Sequence, residues 1–310
     1  MRGSRPAELV VGAVQLGLEY GCANKTGKPS HEAALSLVRR AADAGIDTFD
    51  TARAYGDSEA RIGEALAGRK RVHAITKLAP LDDVPPHAIE SVVRARVDKS
   101  IEESLTALRR DRLDCVLLHR AHHRTAWNGA VWDRLIELLE DGSLLALGVS
   151  VQSPAEALAA LACADVSHIQ LPFNILDWRW KAAGVVERLA DRPGVTVHAR
   201  SVYLQGLLAA RDPSLWPRLP GLSATAIVDW LDETARVYER DSVADLCLAF
   251  VRGQEWIDGV VVGMETEDQL EANLRLSVQR PLTIEQCAEI EAARPRVAAA
   301  LLDPSQWPAQ

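Results

Sequence analysis

The chain has 310 residues, 48% of them hydrophobic and 25% charged, the make-up of a folded globular protein and not of a disordered one. Lysine and arginine total 35 against 43 aspartates and glutamates, and the net charge of -8 argues against nucleic acid or an anionic membrane as a partner. No apolar run approaches the ~18 residues of a membrane span. Residues 9–18, interrupted by Gln15 and without a small-residue cleavage site, read as a core strand and not as a secretory leader. Five scattered cysteines (Cys22, Cys115, Cys163, Cys247, Cys287) form no Cys-x-x-Cys pair, the usage expected of reduced, mostly buried thiols in a cytoplasmic protein.

Short β-branched runs alternate with amphipathic stretches along the whole chain. Strands are expected at residues 9–16, 48–51, 73–78, 115–119, 146–150, 168–173, 195–200 and 259–263. Helices are expected at 32–44, 59–67, 87–108, 131–140, 154–162, 181–190, 243–253 and 266–276, where apolar positions recur at three-to-four spacing, as in Leu35, Val38, Ala41 and Ala42. Ser30, Ser153 and Thr283 stand where helix N-caps are wanted. Eight strands, each followed by a helix, is the count of an α/β fold of the (β/α)8 or TIM-barrel type, which needs about 250 residues. An open doubly wound sheet would want a Gly-rich first turn, and Gln15-Leu16-Gly17-Leu18 is not one. Residues 212–222, with three prolines, read as a long loop after the seventh strand. No linker divides the chain, so residues 1–310 are expected to form a single domain.

Reactive side chains of such a barrel come from the C-terminal ends of strands and the loops beyond them. Asp50 closes the second strand, with Tyr55 in the loop that follows; Lys77 ends the third strand and His119 the fourth. Each alone has a purely structural explanation: a helix cap, an ion pair, a satisfied core histidine. Four such residues converging on one rim from three consecutive strands make a chemical set. A tyrosine hydroxyl is a poor acid or base near neutral pH. A neighbouring ammonium favours the tyrosinate, and a carboxylate holds the ammonium in place. Tyr55, Lys77 and Asp50 therefore compose a candidate proton-transfer relay, with His119 placed either to orient a carbonyl oxygen by hydrogen bonding or to assist the proton transfer. A barrel lyase forming a Schiff base on Lys77 is the alternative from the same residues.

The run Asp50-Thr51-Ala52-Arg53-Ala54-Tyr55-Gly56-Asp57-Ser58-Glu59, followed by Gly63, resembles the signature of the aldo-keto reductase superfamily, in the form of a bacterial member. Thr76-Lys77 and Leu117-Leu118-His119-Arg120 are similar to its next two motifs, and the resemblance continues through residues 147–150, 169–174, 201–208 and 263–273. It implies a barrel that binds an extended nicotinamide dinucleotide and reduces an aldehyde or ketone, or oxidises the alcohol in reverse, without a metal. The implied partner is thus a small carbonyl or alcohol molecule, and a non-catalytic cofactor-binding regulatory protein of the same fold is a further alternative. By this resemblance Tyr55 is the general acid, Lys77 and Asp50 its tuning pair, and His119 the carbonyl-orienting group.

The resemblance also implies cofactor positions. Ser150 and Gln170 fall at the nicotinamide carboxamide, and Arg200 falls where an aromatic ring often stacks on the nicotinamide. Ser201, Leu204 and Gly206 lie in the pyrophosphate loop, about residues 198–210; Gly263, Glu265, Gln269 and Asn273 lie at the adenosine end, about residues 262–273. NADP(H) comes first on resemblance. NAD(H) is also plausible because of Glu265, since residues 263–269 carry three acids and no base where relatives hold the 2′-phosphate. Thr266 and the first amides of the next helix remain as phosphate donors.

Other signals are weaker. Tyr20, Asn24 and Lys25 after the first strand, and Trp178 with Trp180 after the sixth, are candidate walls of a substrate pocket. Asn24, Lys25, Asn128 and Asp177 favour a polar, sugar-like substrate. Residues 21–28 miss the phosphate-loop spacing by one residue, and Pro29 stands where the Ser/Thr belongs. His119, His122 and His123 show no HExxH pattern; the last two read as solvated loop residues, and no metal is expected.

Overall fold

The computed structural model describes residues 6–308 apart from residue 70. Strands β1 (Glu8–Gly12), β2 (Thr48–Asp50), β3 (His73–Lys77), β4 (Cys115–Leu118), β5 (Leu147–Ser150), β6 (His168–Pro172), β7 (Thr196–Arg200) and β8 (Gly259–Gly263) follow one another in sequence order around a closed parallel barrel. The β-branched runs suit strands buried on both faces, inside by the barrel core and outside by helices. Register then aligns the strand ends: Gly12 lies opposite both Asp50 and Gly263, and Ser150 opposite Gln170. The residues expected to do chemistry thus share one rim.

Local signals fix where the outer helices begin. Ser30 accepts the Ala33 N–H at 3.2 Å and opens helix His31–Asp43, which buries Leu35, Leu37, Val38 and Ala41. Ser153 and Glu156 form a reciprocal capping box at helix Pro154–Leu161, and Thr283 and Gln286 form another at helix Ile284–Ala293. Each such cap stabilises its helix by about 1 kcal/mol, and each fully buried leucine or valine contributes roughly 1.5–3 kcal/mol. Cys115, Cys247 and Cys287 are buried, whereas Cys22 and Cys163 are half-buried.

Three elements depart from the sequence pattern. The first strand ends at Gly12 and not at residue 16, because the chain turns into a short helix, Val14–Gly17. An apolar run does not reveal that turn; the cause is long-range, since Gly17 presses on the backbone beyond β2. The helix expected over 181–190 is broken into Arg179–Ala182 and Val185–Ala190 at Gly184, whose φ is 75°. Residues 212–222 are loop with a short turn at Pro213–Leu215, but they lead into an unanticipated helix, Ala224–Val237, capped by Ser223. Its buried Ile227, Val228, Leu231, Thr234 and Ala235 have the three-to-four spacing that marks a helix.

A Cβ on Gly17 would stand 1.7 Å from the Tyr55 carbonyl oxygen, and one on Gly56 would stand 2.5 Å from the Gly17 carbonyl oxygen. These bare backbones seat the Tyr55 loop on the first loop. Gly17→Ala is expected to destabilise the fold by about 1–3 kcal/mol in urea titrations and to cut turnover, since Tyr55 must shift. An unchanged midpoint and unchanged turnover would show that this contact does not position the loop.

Candidate active site

Lys77 projects from the end of β3 into the barrel and is 1% exposed. Its Nζ donates to both carboxylate oxygens of Asp50 at 2.8 Å and to the Thr51 carbonyl at 2.9 Å. Asp50 also accepts the Gln170 side-chain amide at 2.7 Å. Burial, the largest influence, pulls the ammonium's pKa down, but the charge and hydrogen bonds of Asp50 together with Tyr55 outweigh it, so the pKa of Lys77 is raised above its usual value. The ammonium stands 5.0 Å from the centroid of the Tyr55 ring. His119 meets that ring edge-on, with centroids 5.6 Å apart. Burial first, then the cations Lys77 and Arg200, push the imidazole of His119 down to about 3. It is therefore neutral near pH 7, and its Nδ1 is buried without a protein partner.

A cleft of about 990 Å³ crosses this rim. Asp50, Tyr55 and His119 lie in its floor and wall, with Tyr20, Asn24 and Lys25 facing them from the first loop. Ser150, Arg200, Ser201 and Gly206 also line it, as do Gly263, Glu265, Gln269 and Asn273 beyond the end of β8. Gln170 and Leu204 are fully buried behind the lining. Ser201, Leu204, Gln205 and Gly206 all adopt left-handed backbone, with φ of 61°, 47°, 56° and 91°. That conformation folds the loop against the first one: Cys22 Sγ lies 3.1 Å from Gln205 Oε1, and a Cβ on Gly206 would stand 2.7 Å from that of Ala23.

A model of the Aldo/keto reductase family matches residues 8–295. The chain belongs to the aldo/keto reductase family. It is 28% identical over 268 residues to the aldo-keto reductase YhdN of Bacillus subtilis, covering 79% of each chain. It is 24% identical over 310 residues to the L-glyceraldehyde 3-phosphate reductase of Escherichia coli O157:H7, covering 90% of this chain and 88% of that one. The holo form of an aldo-keto reductase from Bacillus halodurans superposes with a TM-score of 0.74 at 22% identity, covering 96% of both chains. The protein is thus an oxidoreductase of carbonyl compounds built on a (β/α)8 barrel.

In this aldo-keto reductase only one acid of residues 263–269 lines the cleft. Glu267 accepts from Ser36 at 2.9 Å and from Arg40, and Glu271 accepts from Arg40 at 2.7 Å. The charge of Glu267 is thus met by Arg40 of helix His31–Asp43, a pairing that the loop's own sequence does not show. Glu265 remains in the cleft, and burial raises its carboxyl above the usual range. Gln269 Oε1 is occupied by the Glu265 N–H at 2.7 Å, and the Thr266 hydroxyl already accepts the Gln269 N–H as a helix cap at 3.2 Å.

Several candidates lie elsewhere. Trp178 does not line the cleft; its indole N–H donates to the Val297 carbonyl at 3.1 Å. Trp180 is fully buried and bonds the Pro172 carbonyl at 2.8 Å, while Asp177 is spent in a buried 2.7 Å ion pair with Arg179. The sixth loop is tied to the C-terminal segment, and Asn128 is also absent from the lining. His123 is not solvated: it is 2% exposed, between the rings of His122 and Trp127. The pattern also missed Gln15 and Gln152, which line the cleft. Both follow strands, but neutral amides gave no chemical signal.

Burial holds His123 and His198 down at about 4, and His168 well below its ordinary value. Unfolded histidines take up protons near pH 6.5, so between about pH 4 and 6.5 the unfolded chain binds more protons than the folded one. Stability is therefore expected to fall on acidification through that window, by up to about 1.4 kcal/mol per pH unit for each buried histidine. Urea midpoints measured from pH 7 to 5 should drop steadily. A flat profile would mean these imidazoles are not held neutral.

Proposed function

We propose that this chain, acting as one barrel domain, reduces an aldehyde or ketone to the alcohol with NAD(P)H, or runs the reverse, with Tyr55 as the general acid or base. The observation that carries this reading is the fully engaged Lys77–Asp50 pair beneath Tyr55, beside a neutral His119, in the floor of a long cleft. A Schiff base on Lys77 needs a neutral, accessible amine, whereas this ammonium donates to three acceptors and is 1% exposed.

The residues fit an extended dinucleotide. Gln170 Oε1 is buried without a protein partner, opposite Ser150 across the β5–β6 register, and offers an acceptor to an amide donor. The cleft continues past Ser201 and Gly206 to Glu265 and Asn273, a path suited to pyrophosphate and then adenosine. When bound, the dinucleotide would supply the hydride. The chain supplies orientation and the proton. Lys77 stabilises negative charge on the Tyr55 oxygen as the proton leaves it, and Asp50 and the Thr51 carbonyl fix the ammonium. His119, neutral, presents a ring nitrogen to the substrate carbonyl oxygen.

NADP(H) stands first by family, and NAD(H) is kept in play by Glu265. Two unit charges about 5 Å apart repel by ~3 kcal/mol at an effective dielectric of ~20, and open solvent reduces this to about 1. Weak discrimination follows, with kcat/KM for the two cofactors within about tenfold. Glu265→Arg is expected to move the ratio toward NADPH by at least about fivefold, mainly through KM; a hundredfold wild-type preference for NADPH that the variant leaves unchanged would put Glu265 away from the ribose. The reading as a whole is tested by Tyr55→Phe, expected to lower turnover of a simple aldehyde by roughly two to four powers of ten while dinucleotide affinity is retained. Retention of a third of wild-type activity would exclude Tyr55 as the acid.

A further inference from the structure

Tyr55 stands within the loop that joins β2 to helix Ser58–Ala65, and a loop residue keeps its place only if the chain on both sides of it is tied down. The two ends of this loop are tied to each other. Thr51 Oγ1 donates to Ser58 Oγ at 2.8 Å, and Ser58 Oγ donates onward to the Ala13 carbonyl at 2.8 Å. Inside it, the Tyr55 N–H donates to the Ala52 carbonyl and the Ser58 N–H to the Tyr55 carbonyl, each at 3.0 Å. Backbone bonds also join the loop to β3: the Thr51 N–H donates to the Ile75 carbonyl at 2.8 Å and the Arg53 N–H to the Lys77 carbonyl at 3.2 Å.

The side chain of Glu59 makes the same connection again, this time with charge. It is buried, at 1% exposure. One carboxylate oxygen accepts the Thr76 hydroxyl at 2.6 Å, and the other accepts Arg53 Nη1. Thr76 precedes Lys77 on β3, and side chains alternate along a strand, so Thr76 meets the outer helix while Lys77 points into the barrel. Arg53 lies before Tyr55 in the chain and Glu59 after it, so their ion pair spans the loop. One carboxylate therefore holds both the loop that carries the tyrosine and the strand that carries the ammonium. Arg53 Nη2 also reaches Glu103 at 3.3 Å, but that partner is exposed on helix Glu90–Leu108 and solvent screens it.

A buried ion pair is weak evidence for stability, because desolvation offsets much of the attraction. What it supplies is direction, and here the direction bears on a separation that matters. The Lys77 ammonium stands 5.0 Å from the centroid of the Tyr55 ring. Its influence on the hydroxyl falls with distance, and a misplacement of about 1 Å costs on the order of a hundredfold in rate. Arg53, Glu59 and Thr76 do not line the cleft, so they can act only through the residues they hold.

We infer that Arg53 and Glu59 are positioning residues for the reaction: their ion pair, clamped to Thr76, sets the separation of Tyr55 from Lys77. This rests on the carbonyl-reductase reading above, in which Tyr55 transfers the proton. The charged and titratable groups around Tyr55 are Lys77 and Asp50 at the ends of β3 and β2, His119 after β4, Tyr20 on the first loop and Arg200 on β7. None of these is altered by substitutions at residues 53, 59 and 76. A changed pH profile in such variants therefore reports displacement of Tyr55 and not the loss of a group beside it.

The experiment measures kcat, its pH profile, KM for 4-nitrobenzaldehyde and NADPH affinity by fluorescence titration. It compares the wild type with Arg53→Lys, Thr76→Val and the double variant Arg53→Gln/Glu59→Gln, which removes opposite charges together and leaves no buried ion unpaired. In the double variant kcat is expected to fall by about ten- to a hundredfold, with KM and NADPH affinity within about twofold of wild type. The remaining rate should rise only at higher pH than in the wild type, because the ammonium no longer favours the tyrosinate as strongly. Arg53→Lys, which keeps the charge, is expected to retain at least about a third of the wild-type kcat. Thr76→Val frees Glu59 from β3 and keeps the ion pair; it should lose about three- to tenfold in kcat and reads the clamp even if the double variant does not fold. Folded variants with the wild-type kcat and pH profile overturn the inference. So does a loss shared equally by KM or NADPH affinity, which would make the pair a support of the whole cleft. Wild-type enzyme that reduces no carbonyl, or a Tyr55→Phe variant that keeps its activity, fails the reductase reading itself, and the inference with it.

Discussion

Lys77 carries a charge where almost no water reaches, and the rim of the barrel is organised around satisfying it. Taking an ammonium and a carboxylate out of water costs several kcal/mol per ion, repaid only when geometry and further hydrogen bonds are complete. Here they are complete for the ammonium, through both oxygens of Asp50 and the Thr51 carbonyl, while Gln170 reaches across from β6 to hold the carboxylate. The strand register makes this possible, because β2 and β3 are fixed by pairs such as Asp50 opposite Ile75. A one-residue slip would turn these side chains to the other face. Replacing either ion alone would leave its partner uncompensated, at a cost of about 3–5 kcal/mol.

That fixed charge matters only if a reacting group is held over it. Tyr55 is on a loop, and its position is set by backbone packing of Gly17 and Gly56 against one another. The loops after β1 and β7 are likewise in contact, through Cys22 with Gln205 and Ala23 with Gly206. The cleft therefore lies between elements that belong to opposite stretches of sequence but form one packed edge. Charged groups along it differ in kind: the Arg200 guanidinium at the end of β7 and the half-buried Glu265 carboxylate beyond β8.

Much of this was readable in the chain. Barrel chemistry sits at strand ends, and the runs around Asp50, Lys77 and His119 are short, apolar and terminated by a polar residue, so period and position agreed. What escaped depends on contacts made only when the barrel closes. Arg40 reaches Glu267 across 227 residues, and Gln152 reaches Asp303 across 151. Trp178 looked like a pocket wall until the C-terminal segment claimed its indole N–H. The overlong first strand had the same origin, since the turn at Ala13 serves a contact with the Tyr55 loop that no local pattern encodes. Helix Ala224–Val237 is different: its three-to-four spacing and its Ser223 cap are both local signals, standing directly after a proline-rich loop.

We propose that the Lys77 ammonium assists proton transfer at Tyr55, whose ring stands 5.0 Å away. The direct test is the pH dependence of kcat in Lys77→Met, measured beside the Asp50→Asn/Lys77→Met double variant, which removes both charges and so leaves no buried ion unpaired. With folding verified by a cooperative thermal transition, the account predicts that both variants lose at least a hundredfold in turnover. It also predicts that what remains rises only at higher pH than in the wild type, because nothing now favours the tyrosinate. A variant that folds, turns over at the wild-type rate and keeps the wild-type pH profile would contradict the account.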